Sequence, residues 1–219
     1  FLKYIILVNK VTFKSSYSEI KVKYFEKVFF HQYKRAFTNL LSAFLIHRLN
    51  FFIFLYFALE NDIKVLGVMS QFGLAIFGLS TMFLTVLSPR MVDLLVDKTK
   101  FKLFFVNVWA TIISIFLILI GFVIAISPFI NIAVFNIIWD NKLLFLVYSI
   151  FLMLELNQNI FSEVILMYNK FPFLKASITT GLVMLACVFV ISKFFQITPF
   201  YYIMIYGLIN LSFNNWYWV

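Results

Sequence analysis

Six stretches of this chain are continuously apolar over about 20 residues, the length that the hydrocarbon core of a bilayer requires of a helix. They run from Asn39 to Leu59, from about Val65 to Leu87, from Phe101 to Ser127, from Leu143 to Met167, from Ala176 to Ser192 and from about Tyr201 to Trp218. The runs are unbroken rather than alternating, which excludes a membrane β-barrel. Only 12% of the residues are charged, 63% are hydrophobic and the mean hydropathy is +0.99. A soluble domain carries roughly a quarter charged residues. The predicted fold is therefore all-α, a polytopic transmembrane helical bundle of six spans with a partial span before them.

The charges between the spans set the orientation. Asn9–Phe37 holds seven Lys and Arg, the Arg90–Lys102 stretch four, and Lys170 with Lys175 two more; these fall on one side. Lys3, Lys64, Lys142 and Lys193 fall on the other, and Arg48 stays inside a span. Thirteen against four is the positive-inside pattern, with the basic side cytoplasmic. A net charge of +9 is thus explained by topology, and no nucleic-acid partner is expected.

Three regions follow. Residues 1–8 read as the end of a truncated transmembrane helix, because the chain opens on Phe1 and reaches polar sequence at Asn9. Residues 9–37 read as a basic cytoplasmic loop. Within it Val22, Phe25, Val28, Phe29 and Tyr33 recur at helical steps, predicting an amphipathic helix whose basic face meets anionic membrane lipids. Residues 38–219 form the six-helix bundle. Both ends read as cut, so a fragment of a longer transporter-sized chain, or a truncated copy, is expected. The single cysteine, Cys187, rules out an intrachain disulfide and a cysteine zinc cluster.

Polar residues inside apolar spans are the candidates for function. Arg48 lies about nine residues from Asn39 and eleven from Leu59, so neither membrane surface is near. A guanidinium at that depth costs at least ~2.5–3.5 kcal/mol and is kept where it faces helices, a watery cavity or an anionic ligand. His47 precedes it and projects about 100° away on a helix. Glu155, Asn159 and Glu163 stand at i, i+4 and i+8 and predict a polar stripe facing a substrate path or a coupling site. Burial would raise the pKa of Glu155 and a neighbouring Arg48 would lower it, and the sequence leaves both open. Gln71, Gly78, Thr81 and Thr85 add a polar edge to the second span. No catalytic constellation, phosphate-cradling glycine loop or metal-ligand spacing occurs in the sequence, so neither an enzyme nor a cofactor is expected.

Four features together carry a family resemblance. They are the basic Asn9–Phe37 loop, the following span with central Arg48, the glycine-bearing span ending at Pro89 before a basic stretch, and the closing Asn214-Asn215-Trp216-Tyr217-Trp218 run. In these the chain resembles the C-terminal half of bacterial polysaccharide-biosynthesis flippases of the O-antigen (Wzx) type, in the multidrug/oligosaccharidyl-lipid/polysaccharide exporter superfamily. The resemblance implies one half of a twelve-helix, MATE-like transporter of the bacterial inner membrane. Its cargo would be a lipid-linked oligosaccharide on undecaprenyl pyrophosphate, moved by alternating access. It implies as partners an N-terminal half or a second subunit, together with other polysaccharide-assembly proteins. Cationic cavity residues would meet the pyrophosphate, and Arg48 sits where that role fits. A multidrug or metabolite antiporter of the same superfamily, a membrane enzyme of envelope polysaccharide assembly and a non-functional remnant remain the alternatives.

Overall fold

Helices make up the described part of the chain, which is Tyr33, Phe37, Leu40, Leu41 and residues 44–167 and 173–215 of a computed structural model, with no strand among them. The chain divides into two units, Phe1–Leu41 and Ser42–Val219. In the first, Tyr33, Phe37, Leu40 and Leu41 are helical and exposed. The expected helix end at residues 1–8, the rest of the 9–37 loop, Lys170 and the closing Trp216-Tyr217-Trp218 lie outside the described residues, as do the side chains of His47, Lys175, Asn214 and Asn215.

The second unit begins with a π-helical turn, Phe44–Leu49, which runs into helix α1, Asn50–Phe57. At the junction the Asn50 side-chain amide donates to the carbonyls of Leu45 at 2.6 Å and Ile46 at 3.3 Å. It thereby occupies acceptors where the wide ladder gives way to the α-helical one. Helix α2, Glu60–Leu94, opens with Glu60 and Asp62 against its positive N-terminal dipole end. Its buried Leu66, Met69, Gly73, Ile76, Ser80 and Leu84 recur at three- and four-residue steps, so one stripe faces the bundle.

The expected stop at Ser88-Pro89-Arg90 does not occur. Pro89 lies inside α2, and the helix continues to Leu94. Proline removes one hydrogen bond, but packing beyond it holds the segment. Met91 is fully buried, and the Arg90 guanidinium stacks 5.2 Å from the ring centre of Phe104. The basic Arg90–Lys102 stretch is therefore two helix ends joined by a short turn. Helix α3, Lys98–Ile126, starts at Asp97, whose side chain accepts from the amides of Thr99 and Lys100. The Lys100 amide and ammonium together hold the Asp97 carboxyl below its ordinary range.

After the 3-10 turn Ser127–Phe129, the stretch between the third and fourth expected spans contains helix α4, Ala133–Asp140. Eight residues reach only about 12 Å, too short to cross a bilayer. The Lys142 ammonium sits 4.0 Å above the Trp139 ring just beyond its end. Helix α5, Lys142–Met167, and helix α6, Phe173–Phe194, follow. Helix α7, Pro199–Ile209, starts on proline with Thr198 as its cap and passes into a second π-helical turn, Asn210–Asn215.

Among the described residues four helical segments are long and apolar enough to cross a membrane: Glu60–Leu94, Lys98–Phe129, Lys142–Ile165 and Ala176–Phe194. They coincide with the second to fifth expected spans. The first and last expected spans are described over shorter helices, Phe44–Phe57 and Pro199–Ile209 with its π extension. Outward faces carry bare apolar side chains such as Ile118 at 67% and Phe122 at 60% exposure. Lipid solvates such a face, and water would not.

Helix α2 packs against α3 and α5, while the first π turn and α1 pack against α6, and α7 joins the two groups. Glycine permits two of these approaches. A Cβ at Gly207 of α7 would overlap the Phe151 ring of α5, and one at Gly181 of α6 would stand 2.8 Å from the Leu45 Cβ.

Candidate functional site

A pocket of about 170 Å³ opens where α1, α2, α5 and α7 converge. The first π turn contributes Arg48 and α1 contributes Phe51. Helix α2 lays Leu66, Gly67, Ser70, Gln71 and Leu74 along one wall. Tyr148 of α5 and Tyr202 and Tyr206 of α7 close the other side. All these positions lie within one to four helical turns of the ends formed by Phe57, Glu60, Lys142 and Pro199. The pocket thus sits in the half of the bundle away from the basic α2–α3 turn.

The three tyrosines are core residues by burial, at 7%, 6% and 4% exposure for Tyr148, Tyr202 and Tyr206. Glycine again makes room, since Gly73 of α2 lies directly against the Tyr148 ring. Tyr148 also tilts against Tyr206 with ring centres 6.4 Å apart, and Tyr202 packs on Phe54 at 5.1 Å. Tyr206 donates its hydroxyl hydrogen to the Glu155 carboxylate on α5, which fixes α7 to α5 beside the pocket. The hydroxyls of Tyr148 and Tyr202 have no hydrogen-bond partner among the described residues.

Arg48 is exposed, and among the described residues no carboxylate lies within ion-pair distance of it. Among the described residues none of the side chains lining the pocket is acidic. The site offers one permanent positive charge, two unpaired phenolic hydroxyls, the Gln71 carboxamide and several aromatic and aliphatic faces. That set suits an anionic ligand with hydroxyl groups.

The other expected site residues are dispersed. Glu155 lies one hydrogen bond behind the pocket wall, through Tyr206, and is not paired with Arg48. Asn159 is exposed, and its main-chain carbonyl accepts from the Ser162 hydroxyl at 2.9 Å. Glu163 accepts from the Ser88 hydroxyl of α2 at 3.1 Å, near the opposite end of the bundle. None of the three lines the pocket. A step of four residues turns the helix about 40° past a full turn, so Glu155 and Glu163 lie about 80° apart and reach different neighbours. The His47 side chain lies outside the described residues. Thr81 and Thr85 donate to their own helix, at the Gly78 and Thr81 carbonyls.

The tyrosines were not among the expected site residues, although Tyr202 and Tyr206 stand four apart at the start of a helix. Asn157 was another missed contributor. It accepts from the Trp109 indole at 2.7 Å and ties α5 to α3. Among the described residues no cluster of His, Cys, Asp or Glu could hold a metal ion. A scan of protein-family models, curated proteins and solved structures finds nothing that matches this chain. Fold and site therefore define the class on their own: over the described residues, a helical protein with helices long and apolar enough to cross a membrane and an arginine-bearing, largely apolar pocket between them.

Proposed function

We propose that the protein is part of a flippase that moves an undecaprenyl-pyrophosphate-linked oligosaccharide across the bacterial inner membrane. The carrying observation is Arg48, a guanidinium without a carboxylate partner among the described residues, opening on a pocket with no acidic lining. Such a charge is offset when an anion arrives, and a phosphate offers oxygens that match the paired guanidinium donors. In this reading Phe44–Phe57 and Pro199–Asn215 complete a six-helix, MATE-like half. A facing bundle, in the same chain or in a second subunit, supplies the other wall for alternating access. With the basic α2–α3 turn in the cytoplasm, the pocket belongs to the outer half of the membrane. The protein performs no covalent chemistry and needs no cofactor. The antiporter alternative with a cationic drug as cargo is less well supported, because Glu155 is engaged by Tyr206 outside the pocket lining.

The test is surface polysaccharide in a flippase-null strain complemented with the complete protein, normalised to the amount in the membrane. Arg48→Ala is expected to abolish surface polymer while leaving insertion intact. Arg48→Lys is expected to restore it only in part, since lysine keeps the charge and loses the planar fork. Normal polymer from the alanine variant would overturn the proposal.

A further inference from the structure

We infer that the pocket is a sugar-phosphate subsite, with Arg48 taking the phosphate and the Tyr148 and Tyr202 hydroxyls taking the hydroxyl groups of the one sugar ring attached to it. This deepens the proposed function and rests on its reading of Arg48 as the anion site. Tyr148 and Tyr202 are more than nine-tenths buried, line the same pocket as Arg48 and have no hydrogen-bond partner among the described residues. Both hydroxyl oxygens stay accessible although their rings are buried, so two phenol groups that no described protein group satisfies leave their hydrogen bonds to whatever polar contents this one cavity holds. Tyr206 differs from them. Its hydroxyl is engaged by Glu155, so it serves as a positioning residue that offers the pocket its ring.

Size and charge narrow the ligand. A volume of about 170 Å³ is several times the ~30 Å³ share of one water molecule. It has the size of one ring with its phosphate, and a longer oligosaccharide would extend out of its open side. Three tyrosine rings alone would also suit an organic cation, but Arg48 in the same lining repels one. Inorganic phosphate would satisfy Arg48 and leave the tyrosine hydroxyls idle. A sugar esterified to phosphate engages both, with Gln71 on the α2 wall as a further donor and acceptor. The sugar phosphate is either free in solution or linked to a polyprenol.

The experiment is calorimetric titration of the complete protein in lipid nanodiscs. The probes are inorganic phosphate, the 1-phosphates of glucose, galactose and N-acetylglucosamine, and polyprenyl-phosphate-linked hexose. At least one sugar phosphate is expected to bind about 10-fold or more tighter than phosphate. Tyr148→Phe and Tyr202→Phe should each remove about 3- to 10-fold of that preference, the effect of one lost hydrogen bond, and leave phosphate binding unchanged. Arg48→Gln should weaken every probe.

Competition by the polyprenyl form assigns a lipid-linked source. Tyrosine-dependent binding of the soluble forms alone assigns a free sugar phosphate. Equal affinity for phosphate and all sugar phosphates, or a preference that survives both phenylalanine variants, overturns the inference. If complementation proves independent of Arg48 while tyrosine-dependent binding persists, the flippase reading fails and the subsite stands. If polymer export depends on Arg48 while the tyrosines prove irrelevant, the reverse holds.

Discussion

Replacing Gly73 with alanine tests whether Tyr148 is held in the pocket wall by close packing against α2. A Cβ at position 73 would stand 2.6 Å from Cδ1 of Leu152 and 2.7 Å from Cε1 of Tyr148, where ordinary contact begins at 3.4 Å. Leu152 is 1% exposed and has little room to retreat, and the Tyr148 ring can yield only towards the pocket it lines. Relieving the overlap requires α2 and α5 to separate by several tenths of an ångström, or both side chains to leave their rotamers. Overpacking of this kind costs about 1–3 kcal/mol. Against it stands the gain of alanine over glycine inside a helix, about 1 kcal/mol. The expected net is a loss of up to about 2 kcal/mol.

Gly78 lies on the same helix with nothing within 4 Å of its would-be Cβ, so Gly78→Ala keeps the propensity gain without the clash. The two variants should differ by about 1–3 kcal/mol, and at about 2–4 °C per kcal/mol for a chain of this size the gap is measurable. The assay is the thermal unfolding midpoint in mild detergent for wild type and both variants. Gly78→Ala should melt above wild type and Gly73→Ala below Gly78→Ala. Equal stabilisation by both would refute the packing of Tyr148 on α2, and with it the placement of that tyrosine in the pocket.

Two further measurements address the frame around the site. Trp109→Phe and Asn157→Leu, taken singly and together through a double-mutant cycle, should show a coupling of about 0.6–1.7 kcal/mol, typical of interhelical hydrogen bonds in membranes; additive losses would remove the α3–α5 tie. Single cysteines at Asn61 and Thr99, in a Cys187→Ser background, should react and stay protected, respectively, with a membrane-impermeant thiol reagent applied to intact cells. Labelling of Thr99 with protection of Asn61 would invert the topology.

Apolar length was the most legible property of the sequence. The segments around Val65–Leu87, Phe101–Ser127, Leu143–Met167 and Ala176–Ser192 each became a helix long enough to cross a bilayer. Length says little about where such a helix stops, however. Proline was read at Pro89 as a terminator, whereas buried Met91 and the Arg90–Phe104 stack carry α2 beyond it. Helix α4 was invisible as a span because eight residues cannot span anything. At the site, Arg48 was conspicuous because charge is rare in apolar sequence. Tyr148, Tyr202 and Tyr206 were not, because tyrosine near the end of a span is ordinarily an interfacial anchor and only three-dimensional convergence separates a pocket wall from a packing residue. The Glu155–Asn159–Glu163 stripe shows the converse. Helical spacing put them near one face, but each interhelical bond depends on the neighbour met at that height, Tyr206 for Glu155 and Ser88 for Glu163.

Three local features gather around the turn that carries Arg48. The π turn Phe44–Leu49 places more residues per turn than an α-helix does, which changes the direction of Arg48 relative to Phe51 and the rest of α1. Asn50 is fully buried, uses its amide on the Leu45 and Ile46 carbonyls, and leaves its Oδ1 without a partner among the described residues. Gly181 gives up a side chain so that α6 can approach Leu45 within the turn. A wide turn, a buried amide and a helix-interior glycine each lower stability when taken alone. An ordinary α-helix from Phe44 to Phe57 would avoid the wide turn and would aim Arg48 elsewhere. The wide turn and the buried Asn50 amide lie within one turn of Arg48, and under the proposed function local regularity is given up there to aim one side chain.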